Sequence, residues 1–136
     1  MEPGIERATL PKLMIAQTPT VLLVDDEASI HDMLGLILRE AGYFVDAAND
    51  GLEGLRKFRG GSWDLVITDL SMPAMGGEEL AQEIRAIPSN VPIILITGFL
   101  KPKTRQDLFD EILEKPFSES DLLTIAAKVL ARTARR

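Results

Sequence analysis

Apolar runs in this chain end on residues that carry chemistry. Val21-Leu22-Leu23-Val24 leads into Asp25-Asp26, Leu65-Val66-Ile67-Thr68 into Asp69, and Ile93-Ile94-Leu95-Ile96 into Thr97. A briefer run, Ile112-Leu113-Glu114, leads into Lys115-Pro116-Phe117. A strand with one wet face alternates apolar and polar residues. A strand that is apolar throughout is buried on both faces, as in a parallel sheet covered by helices. The carboxyl ends of such strands lie side by side, so these runs predict one crevice holding three carboxylates, a hydroxyl and an ammonium.

The intervening segments have the helical period that parallel crossovers require. Ile30, Met33, Leu34, Ile37, Leu38 and Ala41 recur at helical spacing, and Gly42 stands where a helix stops. Tyr43–Ala48 reads as a second strand, and Leu52, Leu55 and Phe58 mark a short helix ending at Gly60-Gly61. A loop with Pro73, Gly76 and Gly77 precedes a helix with Leu80 and Ile84 inward. The fourth strand is expected over Pro92–Thr97, a short helix over Thr104–Phe109 and a fifth strand over Glu111–Leu113. The last helix opens on Ser118 and Asp121, a capping-box spacing, and continues with a stripe of Leu122, Ile125, Ala126, Val129 and Leu130. Arg132, Arg135 and Arg136 suit the negative end of its dipole. Right-handed crossovers make this a doubly wound α/β fold, which binds ligands outside the carboxyl ends of its strands.

With 136 residues the chain suffices for one domain, and 46% hydrophobic residues can form its core. Residues 1–19, broken by Pro3, Gly4, Pro11 and Pro19, read as a tail or linker; a docking segment built on Leu10, Leu13, Met14 and Ile15 is the alternative. The domain is expected over residues 20–133. A net charge of −6 argues against nucleic-acid or membrane-surface binding, both of which need a basic face. The chain has no cysteine, which removes thiolate ligands and thiol nucleophiles. No apolar run approaches the roughly 18 residues of a membrane span.

The crowded carboxylates repel one another, at about 4 kcal/mol for a pair 4 Å apart in an effective dielectric of 20. A Mg²⁺ ion would relieve that repulsion, because it takes oxygen ligands from carboxylates, carbonyls and water. One carboxylate can instead attack phosphorus and form an acyl phosphate, with a cation and a lysine stabilising the transferring oxygens. Each residue alone has a plainer reading: Asp25-Asp26 as a helix cap, Asp69 as a turn residue, Thr97 as a strand-end hydroxyl, Lys115 as a solvated lysine. Together they define a site. His31 reads as a rim histidine, Trp63 as a packing residue at the far end of the sheet, and Met33, Met72 and Met75 as packing or loop residues.

The pattern Val24-Asp25-Asp26-Glu27, then Asp69-Leu70-Ser71-Met72-Pro73-x-Met75-x-Gly77, then Ile96-Thr97-Gly98, then Lys115-Pro116-Phe117 resembles the receiver domain of two-component response regulators. The resemblance covers about residues 20–133. It implies a flavodoxin-like five-stranded sheet in order 2-1-3-4-5. It also implies transfer of a phosphoryl group from a histidine kinase or a histidine phosphotransfer domain to Asp69, in a Mg²⁺-dependent reaction that signals by conformational change. By position, Asp26, Asp69 and the backbone carbonyl of Ser71 would hold the Mg²⁺, with Asp25 acting mostly through water. Thr97 and Lys115 would engage the phosphoryl oxygens, and the Lys115–Pro116 peptide would be cis. The implied setting is cytoplasmic, with neither nucleic-acid nor membrane contact by this domain, and a homodimer is compatible. The domain would be a phosphoacceptor rather than a conventional enzyme.

Two departures qualify the resemblance. Where the family usually has Tyr or Phe three positions before the lysine, this chain has Ile112. The interval from Thr97 to Lys115 is about one helical turn shorter than usual, so the fourth helix is expected to be shortened or displaced. An aspartyl-phosphate phosphatase is the enzymatic alternative, but that class places a second acid two positions after the nucleophile, where this chain has Ser71. A degenerate receiver acting only as an interaction module is the other. The Ile96-Thr97-Gly98-Phe99 segment and the leader are similar to those of hybrid-kinase receivers, so both a stand-alone receiver and the terminal receiver of a hybrid kinase are expected forms.

Overall fold

The apolar runs become the centre of one parallel sheet. In a computed structural model, which describes residues 18–133, the strands are β1 (Thr20–Val24), β2 (Phe44–Ala48), β3 (Leu65–Asp69), β4 (Ile93–Thr97) and β5 (Glu111–Glu114). Their order is β2-β1-β3-β4-β5, every neighbouring pair parallel, as the resemblance implies. All of β3 and β4 is buried, whereas the edge strands β2 and β5 are partly exposed. Of the expected tail, residues 1–17 lie outside the described residues, as do Arg135 and Arg136.

Successive strand side chains point to opposite faces, so each run feeds two cores. Leu22, Val24, Val66, Ile93 and Leu95 point to the face covered by α2 (Gly51–Arg59) and α3 (Gly77–Ala86). Val21, Leu23, Leu65, Ile67, Ile94 and Ile96 point to the face covered by α1 (Ala28–Glu40) and α4 (Glu119–Thr133). Met33 and Leu52, counted in the inward stripes, are about half exposed; Leu34, Leu38, Leu55 and Phe58 do the packing.

The helix ends follow from local chemistry. Gly42, at φ 103°, closes α1: its N–H donates to Arg39 O and that of Tyr43 to Leu38 O, the paired bonds of a Schellman motif. The Asp50 side chain accepts from Glu53 N and caps α2. Ser118 and Asp121 form the reciprocal box at α4: Asp121 N–H donates to Ser118 Oγ at 3.0 Å, and Ser118 N–H to Asp121 Oδ2 at 3.1 Å. Trp63 is half-buried against the α2–α3 core, its indole N–H donating to Lys57 O.

The crossover from β4 to β5 is where this chain is unusual. The expected short helix contracts to a single 3-10 turn over Gln106–Leu108. Leu108 and Phe109 bury into the α2–α3 core, and Arg85 of α3 pins the segment. Its Nε and Nη2 donate to Leu108 O, its Nη1 to Val91 O, and its Nη2 also to Asp110 Oδ2 at 2.8 Å. Asp110 Oδ2 also accepts from Ile93 N, and Asp110 N donates to Ile93 O. One guanidinium thus satisfies the Leu108 carbonyl at the end of the crossover and the Val91 carbonyl ahead of β4.

Arg85→Ala is expected to destabilise the domain by about 2–3 kcal/mol, the scale for losing hydrogen bonds to a charged group. Arg85→Lys should recover little, because an ammonium cannot reproduce the planar fork. Urea unfolding of the variants measures both effects.

Candidate functional site

The site is assembled from loops that begin where the strands end. Asp25 follows β1 and is 2% exposed; Asp69 closes β3 at 9%; Thr97 closes β4 at 3%. Lys115 follows β5, half-buried, and its N–H donates to Thr97 O at 2.8 Å. The Lys115–Pro116 peptide is cis. A cavity of about 420 Å³ opens here, with Asp26, Asp69, Ser71, Thr97 and Lys115 on its walls together with Glu27, Phe99 and Lys101.

The acidic residues divide unevenly. Carboxylate oxygens of Asp25, Glu27 and Asp69 lie within 4.8 Å of one another. Asp26 lines the cavity but is exposed and stands outside that cluster. Glu27 is the residue that strand-end reasoning missed. Its signal was its place directly after Asp25-Asp26, but which of these consecutive exposed acids reaches Asp69 depends on the path taken after the strand. Here Glu27 is the N-cap position of α1, and its N–H donates to Asp25 Oδ1 at 2.8 Å. Asp25 therefore also does part of a helix cap's work. His31 sits beside the site on α1, with Nε2 3.1 Å from Asn49 Oδ1 and Nδ1 3.2 Å from Asp32 Oδ1.

The loop after Asp69 is held close by glycine. A Cβ at Gly77 would collide with the carbonyl oxygen of Asp69, and the Gly77 N–H donates to Leu70 O at 2.9 Å. Only a residue without a side chain lets α3 start this near the strand end. Ala74 takes φ 67°, left-handed backbone that favours glycine, so the loop holds strain beside the site. Asp69 Oδ1 accepts from Leu70 N at 2.8 Å, which orients the carboxylate.

Burial pushes the carboxyls of Asp25 and Asp69 above the ordinary value of 3.8. For Asp69 the Lys115 charge is the main opposing influence, and Asp25 adds to the rise. For Asp25 the Glu27 N–H and then Lys115 oppose it. The arrangement favours uptake of positive charge: a proton, a metal ion, or both in turn. It can also present one oriented carboxylate beside a hydroxyl and an ammonium.

Residues 21–127 match the family model for the response regulator receiver domain. A CpxR homolog of Haemophilus influenzae, a transcriptional regulatory protein, is 36% identical over 118 residues, covering 84% of this chain and 51% of that protein. The hybrid signal transduction histidine kinase D of Dictyostelium discoideum is 35% identical over 115 residues, 80% of this chain and 7% of that protein. The response regulator TrrA of Thermotoga maritima, solved in complex with Mg²⁺-BeF, superposes with a TM-score of 0.78 at 37% identity, covering 82% of this chain and 99% of that one. A CheY-like receiver domain protein from Methanospirillum hungatei reaches a TM-score of 0.84 at 27% identity, covering 88% and 98%. The chain belongs to the response regulator receiver domains of two-component signal transduction. It spans about half the length, or less, of the curated relatives it matches.

A carboxyl whose folded pKa is raised stabilises the fold below its unfolded value, and that contribution is lost as pH rises through the folded value. At neutral pH the metal-free domain therefore carries an electrostatic cost at Asp25 and Asp69. Asp69→Asn is expected to raise the stability of the metal-free domain at pH 7, because the amide puts no charge into the buried position. It should also flatten the decline in stability above the ordinary carboxyl range. Thermal melts from the ordinary carboxyl range upward to neutral pH in the presence of a chelator test this; equal slopes for the two proteins would contradict it.

Proposed function

We propose that Asp69 accepts a phosphoryl group from a phosphohistidine of a histidine kinase or phosphotransfer protein. The observation that carries this reading is a buried, oriented carboxylate at a strand end that shares one cavity with Thr97 and Lys115. A carboxylate oxygen of Asp69 forms a bond to phosphorus while the P–N bond to the donor imidazole breaks. The electron pair stays on the imidazole nitrogen, which then takes a proton from solvent. The Lys115 ammonium and the Thr97 hydroxyl donate hydrogen bonds to phosphoryl oxygens, where charge develops. Water later attacks phosphorus, releasing phosphate and restoring the carboxylate.

The donor set fits Mg²⁺. The clustered ligand atoms are carboxylate oxygens, and their spread of up to 4.8 Å is close to the roughly 4.2 Å that opposite ligands span around an ion with Mg–O of about 2.1 Å. Asp25, Glu27 and Asp69 would hold the ion from the cluster, with Asp26 and the Ser71 carbonyl on the same cavity wall able to complete its oxygen shell. When bound it would neutralise the acidic cluster and the phosphoryl oxygens. The TrrA structure with Mg²⁺-BeF, a family neighbour at 37% identity, supports this assignment. No helix among the described residues is long and apolar enough to cross a membrane. We place the domain in the cytoplasm because ATP-dependent kinases there generate the phosphohistidine donors.

Incubation with Mg²⁺ and a small phosphoryl donor such as phosphoramidate should add one phosphoryl group by intact mass. Asp69→Asn and chelator-treated wild type should gain none. Lys115→Ala should slow labelling by about 100-fold or more, the scale for losing one transition-state donor. Labelling of Asp69→Asn equal to that of the wild type would rule the proposal out.

A further inference from the structure

The crossover from β4 to β5 carries a second ammonium to the site. Lys101 lies on the wall of the cavity that holds Asp69, Ser71, Thr97 and Lys115. Four carboxylates belong to this edge of the sheet: Asp26, Glu27 and Asp69 line the cavity, and Asp25 clusters with Glu27 and Asp69. Lys115 opposes them with one positive charge. Even a bound divalent cation would leave such a site negative, and a negative site repels an anionic phosphoryl donor. With Lys101 counted, two lysines and a divalent cation would balance the four carboxylates.

The backbone under Lys101 is held on both sides. Leu100, half-buried, packs against the α2–α3 core. After Lys101 the chain turns at once: Thr104 N–H donates to Lys101 O at 3.0 Å, and Pro102 occupies the second position of the turn, where its locked φ fits. Arg105 N–H then donates to Glu78 Oε1 at 3.2 Å and ties the turn to α3. The nearby guanidiniums are committed, Arg85 to Asp110 and Arg105 to Asp107. Lys101 is exposed and, among the described residues, forms no ion pair, so its ammonium is available to a ligand in the cavity. We propose that Lys101 is a substrate-binding residue of the phosphoryl transfer, which takes hold of anionic oxygens of the incoming donor and makes the site favour dianionic donors over monoanionic ones. This rests on Asp69 being the phosphoacceptor. With an acyl phosphate as donor, a carboxylate oxygen of Asp69 bonds to phosphorus while the P–O bond to the acyl group breaks. The electron pair leaves with the carboxylate product, and no proton is required.

The test is the labelling rate of the full chain, read by intact mass, with Mg²⁺ and either of two donors over a range of donor and salt concentrations. At neutral pH acetyl phosphate is a dianion, whereas phosphoramidate, its nitrogen protonated, is a monoanion overall. Lys101→Ala should slow labelling by subsaturating acetyl phosphate about 10-fold at low salt, the lower end of steering by a charged cleft, and labelling by phosphoramidate clearly less. The loss with acetyl phosphate should shrink as salt rises, because the Debye length falls from about 10 Å at 0.1 M to about 3 Å at 1 M. Lys101→Arg, which keeps the charge, should keep the preference. Lys103→Ala removes an equal charge from the same turn at a residue that does not line the cavity, and should slow labelling less than Lys101→Ala does. No loss, an equal loss with both donors, a loss independent of salt, or an equal effect of Lys103→Ala would overturn the role of Lys101 alone. No labelling of the wild type by either donor would overturn the phosphoacceptor reading and the role of Lys101 with it.

Discussion

Burial of β1, β3 and β4 on both faces is the constraint from which the rest of the molecule follows. Helices cover each side of the sheet, so a strand residue has no wet face to point to. Ionisable groups are then tolerable only where a strand stops. Asp25, Asp69 and Lys115 all stand at or just beyond such stops, and parallel pairing brings those stops to one edge. The same hydrophobic burial that holds the domain together therefore concentrates its charge.

That concentration is costly to the unliganded fold and useful to its chemistry. Asp25 and Asp69 are forced into low dielectric beside each other, with Lys115 only partly offsetting the repulsion. A site that prefers added positive charge is prepared for a cation such as Mg²⁺. The Gly77 approach and the left-handed Ala74 show the backbone accepting further strain to hold Asp69 in place. Stability and function are coupled through the same few side chains.

The crossover after β4 is tied down at its two ends by different means. At one end the Arg85 guanidinium and Asp110 bind the backbone to α3 and to β4. At the other end a single hydroxyl holds Phe99. In the short interval the expected helix is a single 3-10 turn, anchored through Arg85 at its far end. The missing residues were visible in the spacing from Thr97 to Lys115, but their replacement by an arginine from α3 was not. A contact from Arg85 to Asp110, across 25 positions, has no local signature.

The sequence by itself determined the strands, the helix stops at Gly42 and Gly60, the capping box at Ser118 and Asp121, and the gathering of acids at one edge. Those follow from side-chain periodicity and local backbone chemistry, which short stretches of chain carry within themselves. Tertiary structure alone decided that Glu27 rather than Asp26 joins Asp25 and Asp69, that the expected helix near Thr104–Phe109 contracts to one 3-10 turn, and that Thr97 spends its hydroxyl on Phe99. Each depends on where the chain goes after a strand has ended. Beyond that point no period constrains the backbone, and its path is set by whichever carbonyls, amides and apolar surfaces the rest of the fold leaves within reach.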